Sequence, residues 1–275
     1  MPYHTILVHL DTSPACAART AHATRLAREH GSHLIGLAPT GQVQIPFDIA
    51  STLLEPGFLV ASTQHLLKCA ELACEEFKAQ AATAGLSSFE ALVAEDDHAT
   101  SVIAQARGAD LVVVGQTERD APMGVVNRDL PEQVALGCGR PVLVVPFAGQ
   151  FETLGRRVLA AWNDSREAAR AFADALPLLL RAQRVTVMTQ RTLGAPAPAL
   201  EHLGAWLARH AVKAVFANEV SELDIGNLLL SRASDLDIDL IVMGCYGNSR
   251  LTERILGGAT RTMLEQMTVP VLFAH

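Results

Sequence analysis

Short apolar runs alternate along the chain with Ala-rich stretches in which apolar residues recur at the helical period. This alternation is typical of βα units that build a buried parallel sheet covered by helices. In the first half it predicts strands at Thr5–Leu10, Leu34–Ala38, Phe89–Val93, Leu111–Val114 and Val142–Val145. The second half repeats the series at Val158–Ala161, Val185–Met188, Ala214–Ala217, Leu240–Met243 and Val271–Phe273. The pattern therefore predicts an α/β protein with two tandem, open, five-stranded parallel sheets.

The two halves read as copies of one unit. Ala109–Gly115 matches Ile238–Gly244 without a gap, at an offset of 129 residues (244 − 115). Nearer the start of each half, Leu10–Ser13 aligns with Trp162–Ser165 at an offset of 152 (162 − 10). The first copy therefore carries about 23 extra residues (152 − 129) in its middle.

Breaker residues place the domain boundary and some helix ends. The Gly- and Pro-rich stretch Thr40–Gly57 is the expected insertion in the first copy. A turn-rich segment near residue 149 divides the chain into predicted domains of residues 1–148 and 149–275. Ser13 is the expected N-cap of the first helix, and Pro177 should break the matching helix of the second copy.

Composition and charge exclude several classes of protein. With 22 basic and 29 acidic residues the formal charge is -7, so no general basic field exists to attract nucleic acid or an anionic membrane. The five cysteines form no C-x-x-C pair, which fits a reducing cytoplasm. No export signal is visible, and the apolar runs are far shorter than the ~20 residues that span a bilayer. We expect a cytoplasmic protein with no nucleic acid or membrane partner.

A glycine-rich loop follows the ninth predicted strand. Gly244 and Gly247 come first, and Gly257 and Gly258 precede a predicted helix, which gives G-x2-G-x9-G-G. Glycines can adopt positive φ and let phosphate oxygens approach backbone N–H groups, and Thr260 adds a hydroxyl donor. The alternative is that these glycines serve only tight turns and close helix packing. Four glycines between a strand and a helix favour a phosphate-binding loop.

With this motif the chain resembles the universal stress proteins, whose ATP-binding members carry G-x2-G-x9-G-(S/T) between a strand and a helix. The resemblance covers essentially the whole chain, as a tandem repeat of two domains. It implies a Rossmann-like, adenine nucleotide alpha hydrolase-like fold, with adenine and ribose near the ends of the first two strands and phosphates along the loop. The nucleotide-binding residues that it implies in the second domain are Asn163, Gly244, Tyr246, Gly247, Asn248, Gly257, Gly258, Ala259 and Thr260.

Two of these residues depart from the family pattern. The Ser or Thr after the third motif glycine is Gly258, which loses a hydroxyl and keeps its N–H. The family's aspartate after the first strand is Asn163, whose amide can still hydrogen-bond a ribose or an adenine edge. Tyr246 either flanks a ligand or closes the loop.

The first copy differs at the loop although it retains Asp11 and Gly115. Glu118 replaces the second glycine, and Arg128 and Asp129 stand at the positions of the last two. A carboxylate about 4 Å from a phosphate charge costs roughly 4 kcal/mol at an effective dielectric of 20. We therefore expect the first copy not to bind ATP in the family's manner.

The sequence supports three functions unequally. The leading hypothesis is a stress-response sensor or regulator that binds ATP, with or without Mg2+, or a related adenine nucleotide, in the second domain only. The second is a protein-interaction module of the stress response that binds no nucleotide. An ATPase or nucleotide-transferring enzyme has the least support, because the chain lacks G-x4-G-K-[ST] and a paired acid and base near the loop. No catalytic residue and no metal site are predicted, and any hydrolysis should be slow.

The family also implies pairing of the two domains through their last strands, and a homodimer is possible.

Overall fold

The computed structural model describes residues 2–42, 56–117, 129–149, 151–194, 199–247 and 258–275. The chain divides into two compact units, Pro2–Cys138 and Gly139–His275. Within the described residues, none of the helices is long and apolar enough to cross a membrane. Most of the Thr40–Gly57 insertion lies outside the described residues.

The first unit is a parallel sheet with helices between its strands. Its elements are β1 Thr5–His9, α1 Cys16–His30, β2 His33–Pro39, α2 Pro56–Thr83, β3 Phe89–Ala94, α3 His98–Ala106, β4 Leu111–Gly115 and α4 Leu130–Gly137. The strand order is β3-β2-β1-β4, and every neighbouring pair is parallel. Its central strands are buried on both faces, which is why they read as unbroken apolar runs.

The second unit has the same arrangement of four strands, with two further strands at one edge of its sheet. Its elements are β5 Val142–Val145, β6 Arg157–Ala161, α5 Arg166–Asp174, α6 Leu176–Leu179, β7 Arg184–Arg191, α7 Glu201–Arg209, β8 Ala214–Val220, α8 Ile225–Asp235, β9 Leu240–Gly244, α9 Ala259–Gln266 and β10 Val271–Ala274. The order is β5-β10-β9-β6-β7-β8. Only β5 is antiparallel to its neighbour, with Val144 opposite Val271. This pairing places β5 in the second unit.

All ten predicted strands are confirmed, with ends within three residues of the predicted ones. Pro177 lies in the first turn of α6 and separates it from α5, as expected. The predicted cap at Ser13 is wrong, because its hydroxyl donates to Asp11 and Ala15 precedes α1 without a capping side chain. The matching Ser165 does cap its helix by accepting from the Ala168 N–H.

The strand order fixes where a ligand site can form. In the first unit the chain leaves β1 toward β2 and β3 and then returns to the other side of β1 as β4. The second unit reverses in the same way between β6 and β9. The loops beyond the carboxyl ends of the two strands separate at such a point and leave a crevice. Each unit therefore has one crevice of this kind.

Candidate functional site

A side-chain turn begins the crevice of the second unit, just after β6. The Asn163 Oδ1 accepts hydrogen bonds from the backbone N–H of Ser165 at 3.2 Å and from its hydroxyl at 2.7 Å. Asp164, between them, has a positive φ of 59°. Asn163 is thus held at the carboxyl end of β6, directly ahead of α5.

The glycine-rich loop folds back onto the start of α9. The backbone N–H of Tyr246 donates to Thr260 Oγ1 at 3.4 Å, and Thr260 is buried in the first turn of that helix. Gly258 is the N-cap of α9 and contributes no capping side chain. The first N–H groups of a helix have no partners within it, so this end of α9 favours an anion.

The structure describes seven of the nine predicted site residues. It brings Tyr246 to Thr260 by a hydrogen bond and sets Gly258 and Ala259 at the same helix end. It does not join Asn163 to this group by a hydrogen bond among the described residues. Asn248 and Gly257 lie outside the described residues.

Two glycines of the loop pack closely against a neighbouring helix, as the alternative explanation predicts. Neither Gly244 nor Gly247 adopts a positive φ, so the expected left-handed backbone is wrong at both. A β-carbon on Gly244 would lie 2.6 Å from the Ala168 backbone nitrogen, and one on Gly247 would lie 2.6 Å from Glu167 Oε2. Both glycines make room for the first turn of α5.

Glu167 is the residue of this site that the sequence interpretation missed. Its side chain is 3% exposed and lies in the first turn of α5. Its Oε1 accepts a short hydrogen bond from the Nε of Arg166, a side chain that is 85% exposed. Burial raises the pKa of Glu167, but the hydrogen bond and charge of Arg166 outweigh it and hold the pKa below its ordinary value. An ionised carboxylate therefore stands beside the second glycine of the loop.

The first unit repeats the turn with a carboxylate. The Asp11 Oδ1 accepts from the Ser13 N–H at 2.9 Å and from the Ser13 hydroxyl at 2.6 Å, as Asn163 does from Ser165. The other oxygen, Oδ2, lies 3.0 Å from Arg19 Nη2. The carboxylate that corresponds to the family's aspartate is thus already paired within the protein.

Arg19 is buried at the crevice of the first unit, beside Asp11 and Gly115. Its side chain is 3% exposed, and its Nε donates to the His9 carbonyl at 2.8 Å. A β-carbon on Gly115 would clash with its Nη1. At the 152-residue offset the matching residue of the second unit is Ala171 (19 + 152). The guanidinium has no counterpart there.

Two histidines, His9 and His98, lie next to the pair formed by Arg19 and Asp11. His9 Nε2 and His98 Nδ1 are 3.0 Å apart. Burial and the charge of Arg19 lower the pKa of His9 to about 3, and burial lowers the pKa of His98. For Asp11, burial raises the pKa, but the charges of Arg19 and His9 outweigh it and hold the pKa well below its usual range. At neutral pH one cation and one anion therefore balance in this crevice.

The predicted acidic residues of the first loop are only partly described. Asp129 is exposed at the N-cap of α4, at the position of Gly258, and makes no capping hydrogen bond. Glu118 and Arg128 lie outside the described residues. Among the residues that the structure does describe, no cluster of His, Cys, Asp or Glu could hold a metal ion.

The family follows from comparison with known proteins. The model of the universal stress protein family matches residues 2–146, which is more than half of the chain. The chain belongs to the universal stress protein family. No curated protein matches it significantly.

Solved structures are similar to this universal stress protein over both units. A universal stress protein from Archaeoglobus fulgidus DSM 4304 is 16% identical, with 98% of this chain and 95% of that chain covered and a TM-score of 0.76. A functionally unknown protein from Pseudomonas aeruginosa PAO1 is 17% identical, with 99% and 92% covered and a TM-score of 0.62. A universal stress protein from Archaeoglobus fulgidus in complex with dAMP is 15% identical, with 52% and 98% covered and a TM-score of 0.36. The first two likenesses establish the fold.

Proposed function

We propose that this universal stress protein is a cytoplasmic stress-response regulator that binds ATP or a related adenine nucleotide in its second domain and signals through occupancy of that site. The observation that carries the proposal is the contrast between Arg19 and Ala171. The Arg19 guanidinium is buried against Asp11 in the first crevice, whereas a buried methyl group stands at the matching position of the second. The domains proposed are residues 1–148 and 149–275.

The mode of binding follows from the groups at the second crevice. We assign Asn163 to the ribose or adenine and Tyr246 to a position beside the ligand. The phosphates would lie at the N-terminus of α9, where backbone N–H groups and the Thr260 hydroxyl are available. The residues assigned to the phosphates are Gly244, Gly247, Asn248, Gly257, Gly258, Ala259 and Thr260. Mg2+ would enter with ATP, on the phosphates.

The assembly proposed is one of paired domains. β5 and β10 are antiparallel neighbours, and each is the last strand of its sequence repeat. We propose that the two domains pair through these strands within one chain, and that the whole chain can form a homodimer. The role proposed is regulatory, with at most slow hydrolysis of ATP.

Calorimetric titration tests the binding. Protein freed of copurified ligand should bind ATP with Mg2+ at one site per chain, and Gly247→Glu should abolish this binding by adding a second carboxylate beside Glu167. Gln183→Glu is the matched control, because Gln183 is exposed and precedes β7, at the opposite edge of the sheet. No binding by the unaltered protein, or equal binding by Gly247→Glu, would contradict the proposal.

A second candidate function is a protein-interaction module without nucleotide. The Glu167 carboxylate beside Gly247 favours it, since the loop then already holds an anion of its own. Mass analysis of the purified protein discriminates the two candidates. A bound adenine nucleotide supports the first, and protein that neither copurifies with nucleotide nor binds any in titration supports the second.

A further inference from the structure

The Glu167 side chain runs along the glycine-rich loop of the second unit. A β-carbon on Gly244 would lie 2.8 Å from the Glu167 Cβ, and one on Gly247 would lie 3.1 Å from its Cδ and 2.6 Å from its Oε2. The carboxylate therefore reaches the second glycine of the loop. A phosphate bound along these two glycines would therefore lie near the Glu167 carboxylate.

The charge of Glu167 is paired with a single cation, which lies at the protein surface. Its only cationic hydrogen-bond partner among the described residues is Arg166, whose own side chain is 85% exposed and solvated. The carboxylate itself is 3% exposed, so water screens it weakly. An unpaired carboxylate about 4 Å from a phosphate charge would weaken binding by about a thousandfold at an effective dielectric of 20. Pairing with the solvated Arg166 reduces this penalty, so we expect a smaller effect of at least tenfold for ATP. The penalty grows with the number of phosphates on the ligand.

A helix-stabilising role is the competing explanation for this residue. An acidic side chain in the first turn of a helix is favourable wherever it points. The corresponding residue of the first unit is Ala15, at the 152-residue offset, and α1 has no acidic residue in its first turn. Helix stabilisation alone predicts that neutralising Glu167 changes stability and leaves the choice of ligand unchanged.

We infer that Glu167 is a specificity-determining residue that makes the second unit prefer adenine nucleotides with one phosphate over those with three. The inference rests on the proposed function and narrows it. Adenine, ribose and the first phosphate can lie between Asn163 and the start of α9, and further phosphates approach the carboxylate. The unit would then respond to AMP more strongly than to ATP.

Titration of the full chain with AMP and with ATP, in EDTA, tests this inference. The unaltered protein should bind AMP at least tenfold more tightly than ATP. Glu167→Gln should tighten ATP by at least tenfold and AMP by less than threefold, so the preference disappears. Glu167→Asp, which keeps the charge, should retain the preference. Glu201→Gln is the matched control, because it removes an exposed charge from the first turn of α7 and should leave both affinities unchanged.

The outcomes separate the inference from the proposed function. If the unaltered protein and Glu167→Gln both bind ATP and AMP with the same ratio, the inference is wrong and the nucleotide site stands. If neither protein binds either nucleotide while both remain folded by circular dichroism, the proposed function is wrong as well. A change in the ratio caused equally by Glu201→Gln would assign the effect to net charge and overturn the role of Glu167.

Discussion

The two units share a backbone design but place different charged side chains in it. Asp11 and Asn163 make the same turn after the first strand of each unit, through Ser13 and Ser165. The helix that follows then places one charged side chain against the glycines of the loop. It is Arg19, a cation, in the first unit and Glu167 of α5, an anion, in the second. The two units thus share the strand order that forms a crevice and differ in the charged side chain beside it.

The contrast shows that the glycines alone do not define the site. Gly115 and Gly244 match exactly in sequence, yet a β-carbon would meet a side-chain tip at the first and helix backbone at the second. The neighbouring helix decides how much room the loop has and what charge it faces. Variants at these positions and at the glycines that they contact should therefore affect the stability of the two units differently.

Arg19→Met should have the largest effect on stability. It leaves Asp11 partly buried without its cation and removes the donor to the His9 carbonyl, so we expect a loss of about 3 kcal/mol. Urea unfolding followed by circular dichroism measures it. Both tryptophans, Trp162 and Trp206, belong to the second unit, so their fluorescence transition should not move.

The double variant Arg19→Met/Asp11→Asn is the control for this expectation. It removes both charges and should recover more than half of the lost stability, because no unpaired carboxylate remains. A single variant that costs less than about 1 kcal/mol would show that the Arg19 and Asp11 pair does not hold the first crevice together.

Gly244→Ala should cause the next largest loss of stability. The loss should be greater than that caused by Gly115→Ala, the matching variant of the first unit. The β-carbon of Gly244→Ala would meet the backbone of Ala168 and Glu167 at 2.6 Å, which cannot move without shifting α5, so we expect about 2 kcal/mol. Gly115→Ala meets only the end of Arg19 and should cost about 1 kcal/mol. Unfolding of Gly244→Ala is followed by tryptophan fluorescence, and unfolding of Gly115→Ala by circular dichroism. Equal costs would contradict the different packing.

Acidification should weaken the first unit more than the second. The pKa of His9 falls from 6.5 to about 3 on folding, so between these values the unfolded chain binds more protons and stability is lost as pH falls. The lowered pKa of Asp11 acts in the same direction below about pH 4. Ala161 and Asn163 hold the matching positions of the second unit and do not titrate.

We expect His9 to account for about 2 kcal/mol of the stability that the first unit loses between pH 7 and pH 5, seen by circular dichroism in urea. His22, whose pKa burial lowers to about 4, should add a comparable loss in the same unit. His9→Gln should make this pH dependence shallower. A loss that appears equally in the tryptophan transition would refute the assignment to the first crevice.

Asn163→Ala should have the smallest effect. It removes two hydrogen bonds to Ser165, an expected cost of about 1 kcal/mol measured by tryptophan fluorescence. Asp11→Ala should cost more, because it also leaves Arg19 buried without its carboxylate. The test is which of the two variants loses more stability. A greater loss for Asn163→Ala than for Asp11→Ala would count against a stabilising Arg19 and Asp11 pair.

The sequence predicted the strands well for a physical reason. Runs such as Leu111–Val114 are buried on both faces of the sheet, so the chain must be apolar there whatever surrounds it. The repeat then placed the loops of the two units in register, and Asp129 and Gly258 are indeed both helix N-caps.

The occupants of the crevices were not predicted, because their role depends on which helix face turns inward. A signal was available in the helical period. Arg19 is spaced four and eight residues before Ala23 and Ala27, and all three are buried. Glu167 stands in the same relation to Ala171 and Ala175. A single charge on an otherwise small, apolar helix face indicates a buried partner or site.

The asymmetry between the crevices is tested most directly by crystals grown with AMP. We predict electron density for one nucleotide per chain, beside Gly244 and Thr260 in the second unit, and an unchanged Arg19 and Asp11 pair in the first. Density beside Gly115 in the first crevice, or in neither crevice when AMP is saturating, would contradict the account.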